Sequence, residues 1–84
     1  MKIKIEYKNI GRNKYCGEEI VDYNADNMEE GIIYCEEIAY KEVKKHLYSH
    51  IIELIPDKDT FQKINKFQVW VGFRHVGDVI ITLL

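Results

Sequence analysis

Eighty-four residues allow one domain, 1–84, with a single small core. A formal net charge of −2 gives no general attraction to nucleic acid or to an anionic membrane, and it is too small for an acidic mimic of DNA. A hydrophobic content of 46% places the chain among folded globules rather than disordered segments.

The 2 cysteines, Cys16 and Cys35, are fewer than a disulfide scaffold of this size uses. Met1 is followed by alternating Lys and Ile, not by the apolar centre of a signal peptide. No apolar run approaches the roughly 20 residues that span a bilayer. A cytoplasmic protein with reduced thiols and no membrane partner is the expectation.

Lys2 to Lys8 alternates, with Ile3, Ile5 and Tyr7 on one side and Lys2, Lys4, Glu6 and Lys8 on the other, which predicts a half-buried strand. Asn9-Ile10-Gly11-Arg12-Asn13 supplies turn residues, and Lys14 to Tyr23 reads as the return strand with Gly17 marking a bulge. Asp26 and Asn27 are N-cap types, and Asp26 with Glu29 has capping-box spacing. From Met28 the apolar residues Ile32, Cys35, Ala39, Val43, Leu47, Ile51 and Leu54 recur every three or four positions. That period predicts one long amphipathic helix over 26–54, stopped by Pro56, with Gly31 letting a strand approach.

Phe67, Val69, Val71 and Phe73 alternate with Lys66, Gln68, Trp70 and Gly72, the strongest strand signal in the chain. Residues 74–78 read as a turn and 79–84 as a last, largely apolar strand. The predicted fold is α+β, in the order ββαββ: a four-stranded antiparallel sheet with one long helix on one face.

Three surfaces follow from that arrangement. Trp70 and Ile80 fall on the sheet face away from the helix, where either the chain's own loops or a second copy must cover them, and a homodimer is the expectation. Tyr34, Ile38, Lys41, Lys45, Tyr48 and Ile52 form a second helical stripe suited to a partner protein, or to a solvated face. Lysines between tyrosines also suit a phosphate backbone with stacked bases, although the net charge argues against nucleic acid. His46 and His50, four residues apart, are the one candidate metal pair, lacking the glutamate that a metalloprotease helix carries after its first histidine. Two half-buried histidines bonded within the fold are the simpler reading, so no metal and no cofactor is expected.

The adjacent pairs Glu18-Glu19 and Glu36-Glu37 point different ways, Cys16 has no base beside it, and no phosphate-binding glycine loop occurs. No enzymatic activity is expected. The segment Val21-Asp22-Tyr23-Asn24-Ala25-Asp26-Asn27-Met28-Glu29-Glu30-Gly31 resembles the strand-to-helix junction of HicB-like antitoxin domains, with Gly31 where that pattern has Ala and two strands ahead of the helix instead of three. The resemblance implies a small regulatory protein. The functional expectation is a non-enzymatic, protein-binding regulatory module; the size and the missing catalytic equipment suit an inhibitor of a host protein carried by a phage or mobile element.

Overall fold

The structure, a computed structural model, describes residues 1–48, 51–58 and 61–84. The alternating segment forms β1 (Lys2–Ile10), and its hairpin partner is β2 (Tyr15–Asp22). One helix follows, α1 (Met28–Lys44), then β3 (Ile52–Pro56), β4 (Ile64–Val71) and β5 (Arg74–Leu83). All pairings are antiparallel, and the sheet order is β2-β1-β5-β4-β3. The α+β class and the single helix over an antiparallel sheet are as expected, but the sheet has five strands and the order is ββαβββ.

The register explains the core. Ile5 faces Ile81 and Tyr7 faces Val79 across β1 and β5, and Val79 in turn faces Phe67 on β4. These residues, with Ile3 and Val69, are at most 1% exposed, and Ile32, Cys35, Ala39 and Val43 of α1 close over them. Each buried branched or aromatic side chain contributes about 1.5–3 kcal/mol. Burial pushes the Cys35 thiol up to about 11, so it stays protonated at neutral pH. Gly31 does admit a strand: a Cβ there would lie 2.7 Å from Met1 Sδ and 3.1 Å from Ile3 Cδ1.

The helix begins close to the expected place, with the capping pair shifted by one residue. Asn27 Oδ1 accepts from the Glu30 N–H at 2.9 Å, and Glu30 Oε2 accepts from the Asp26 N–H at 3.1 Å. It ends ten residues earlier than the apolar period suggests. The Lys45 N–H bonds Glu42 O and the His46 N–H bonds Val43 O, a tightened last turn. Beyond it, Ile52 to Pro56 pairs with Val71 to Phe67 as an edge strand. A β-branched run beside an unpaired strand is better stabilised by that ladder than by helix, and Pro56 is tolerated at the end of an edge strand. Ile51, expected in the helix core, is exposed, and Leu54 instead packs from β3.

The second hairpin also turns earlier than expected. Gly72 and Phe73 form the turn, β5 starts at Arg74, and a bulge after Val69 puts Trp70 opposite His75. Phe73 therefore leaves the core and is fully exposed. The two sheet edges resist strand addition by simple means: β2 carries Glu18, Glu19 and Asp22, and β3 is 5 residues long and ends in proline.

Two stability predictions follow. Asn27→Ala removes the cap and is expected to cost about 1 kcal/mol, read from the denaturant midpoint. Tyr7 is buried, and its hydroxyl donates to Glu19 Oε2 at 2.9 Å; burial first, then the carboxylate, holds its phenol well above the ordinary value. A phenol pKa raised by folding gives stability that is complete below the unfolded value near pH ~10 and falls as pH rises above it. Tyr7→Phe should flatten that alkaline loss in a pH series of unfolding curves. An unchanged slope would assign it to other groups.

Candidate functional site

Three elements run towards the same end of the molecule and stop there: β1, α1 and β4. Their exits are the turn after Ile10, the segment after Lys44, and the turn after Val71. Gly11 ties them together. Its N–H donates to Val76 O at 2.8 Å, and it takes a positive φ of 74°. A Cβ there would lie 2.6 Å from His46 O and 3.1 Å from Leu47 Cδ2. Tyr15 and His46 stack face to face beside this junction, with centroids 3.7 Å apart and 9° between planes.

Between the three exits lies a cleft of about 600 Å³. Leu47, Val71 and Val76 give it a half-buried apolar lining, and Arg12, Lys14 and Arg74 line it as exposed cations. Tyr48 also lines it and is fully exposed, as is Phe73 beside Arg74. His46 and His75 complete the wall; His75 Nε2 lies 2.8 Å from Gly77 O and 3.0 Å from Asp78 Oδ1.

The electrostatics are lopsided. The segments 9–14, 44–48 and 71–76 carry Arg12, Lys14, Lys44, Lys45 and Arg74 and no Asp or Glu. Those five cations, set against −2 for the whole chain, leave −7 for the rest. Lys45 pairs with Glu42 at 3.4 Å, whereas Arg12, Lys14 and Arg74 enter no ion pair among the described residues. Cations that converge on a concave surface without counter-ions raise the local concentration of anionic ligands.

The expected partner stripe is dispersed by the early helix end. Tyr34 stacks on Tyr23 with centroids 3.9 Å apart, Ile38 packs against the core, and Lys41 is exposed on the helix. Lys45 follows the last helical residue, Tyr48 joins the cleft, and Ile52 is buried in β3. His46 lies past the helix end, so a four-residue step from it is not a helical step; His50 is outside the described residues. Among the described residues, no group of three or more His, Cys, Asp and Glu is placed to hold a metal ion.

Trp70 and Ile80 do lie on the face away from α1, each half-buried. The Trp70 ring stacks near His75 with centroids 5.6 Å apart, and its Nε1 donates to Gln68 Oε1 at 2.9 Å. Ile80 sits between Glu6 and Lys66 in the ladder, and the row Lys8, Asp78, Gln68 separates it from Trp70. Ile20, Ile55 and Ile64 stand exposed on the same face, so apolar side chains there alternate with Lys4, Glu6, Lys66 and Gln68. Arg12, Lys14 and Arg74 escaped the sequence reading because only their shared lack of acidic neighbours marks them, and that signal acquires meaning once the turns are known to meet.

A scan against family models, a search of curated proteins and a search of solved structures each return no match. The strand-to-helix junction near Asp26 therefore rests on its capping geometry, and the functional reading rests on the cleft.

Gly11→Ala is expected to cost at least about 1–2 kcal/mol from the left-handed backbone alone, more as the His46 carbonyl is displaced. Thermal unfolding reads the loss, and a neutral result would mean that the junction is not held at Gly11.

Proposed function

We propose that the protein is a non-enzymatic binding module whose basic cleft holds an acidic segment of another protein, and that it regulates that partner by occupying it. The observation that carries this reading is the convergence of three acid-free turns on one concave surface, with Arg12, Lys14 and Arg74 left without counter-ions. Arginine suits this task, because its planar fork bonds a carboxylate through two parallel N–H groups. The described lining offers no carboxylate and no thiol, which favours holding a ligand over transforming it.

An acidic protein segment fits better than nucleic acid. A polynucleotide gains affinity by neutralising phosphates along its length. Here the three converging segments carry five cations and no acid, and a strand continuing past them meets a remainder whose charges sum to −7. A peptide segment ends where the cleft ends.

Binding of a labelled Asp- and Glu-rich peptide, followed by fluorescence anisotropy at low salt, tests the reading. The double variant Arg12→Glu with Arg74→Glu should weaken it by at least about tenfold, since each tenfold corresponds to 1.4 kcal/mol and two charges are reversed. Lys63→Glu, ahead of β4 at the opposite end, should leave it within about twofold of wild type. No binding by the wild type, or equal loss with Lys63→Glu, rejects the proposal. Tighter, steeply salt-dependent binding of an oligonucleotide would assign the cleft to nucleic acid instead.

A further inference from the structure

The cleft is amphipathic, and the cations account for only part of it. Leu47, Val71 and Val76 contribute half-buried apolar surface, and Tyr48, fully exposed, lines the cleft with them. A volume of about 600 Å³ in this open cleft exceeds what a lone carboxylate needs. A run of carboxylates alone would satisfy Arg12, Lys14 and Arg74 but leave the apolar lining wet. Pushing one of those carboxylates onto Val71 and Val76 would cost desolvation without a partner. A bulky apolar side chain between two acidic residues meets both demands: the side chain displaces water from the lining, and the flanking carboxylates reach the arginines and the lysine.

We infer that the segment bound in this cleft is an acidic peptide bearing a bulky apolar residue, of the Leu or Phe kind, flanked on both sides by carboxylates. The inference rests on the cleft being an acidic-segment site and adds the side chain that is read there.

Three probes of matched length test it on the full chain: an acidic peptide with a central Leu, the same peptide with a central Ser, and an oligothymidylate. Burial of one leucine side chain predicts that the Leu peptide binds at least about tenfold tighter than the Ser peptide. The near-isosteric variants Val71→Thr and Val76→Thr should narrow that ratio. Where a variant melts below the assay temperature, methyl shifts of the wild type decide: the Leu peptide should move the Val71 and Val76 resonances and the Ser peptide should not. Equal affinity for the two peptides overturns this inference and leaves the acidic-segment reading standing. Binding of neither peptide, or preference for the oligothymidylate, overturns both.

Discussion

The pairing of β1 with β5 is the constraint from which the rest of the molecule follows. It joins the first strand to the last at the centre of the sheet, with Ile3, Ile5 and Tyr7 opposite Leu83, Ile81 and Val79. The β1–β2 hairpin then occupies one flank and the β4–β5 hairpin the other. The chain between them must cross the sheet, and α1 makes that crossing over the central pair. A helix with a narrow apolar stripe suffices, because Ile32, Cys35, Ala39 and Val43 cover the two strands on which the buried side chains are densest.

That same constraint fixes where function can be placed. Because β2 descends from the first turn, α1 starts at the bottom and climbs beside β1. Because β3 descends on the far edge, β4 climbs as well. Three rising elements release three connections at one end, whereas the β2–α1 and β3–β4 connections lie at the other. Gly11 draws the turns together through Val76 O and the close approach of His46 O, so the cleft is held by backbone and not by long side chains. Arg12, Lys14 and Arg74 are therefore presented on an organised base, which limits the ordering cost of binding.

The core face and the class of the fold were legible in the chain because period-2 and period-3.6 patterns are direct consequences of burying one side. Ile3, Ile5 and Tyr7, and again Phe67 and Val69, point where their alternation says. The reading failed where two periods fit one stretch. Ile51 and Leu54 continue the helical spacing of Val43 and Leu47 while Ile52 continues that of Tyr48, yet Ile52, Leu54 and Ile55 suit a short apolar strand equally well. What decides between them is the free edge of β4, a feature elsewhere in the chain. Phe73 failed differently: alternation carried it into the strand, while Gly72 offered the positive φ that a two-residue hairpin turn uses first. The site was the least legible part, since His46, Arg12 and Arg74 are ordinary surface residues until the topology makes them neighbours.

Net charge misdirects for a related reason. A chain at −2 reads as electrostatically indifferent, yet that figure is a sum over a body 35 Å long. Salt at physiological strength screens exposed charges beyond about 8 Å. A ligand at one end therefore responds chiefly to Arg12, Lys14 and Arg74, whose charges no ion pair offsets among the described residues, and to the nearby acids Glu42 and Asp78 only through Lys45 and His75, which they face. The same screening sets the limit of the effect, because a ligand long enough to leave that end meets the opposite sign. Segregated charge on a near-neutral chain thus favours short anionic segments over long polyanions, and it does so through geometry that no composition reveals.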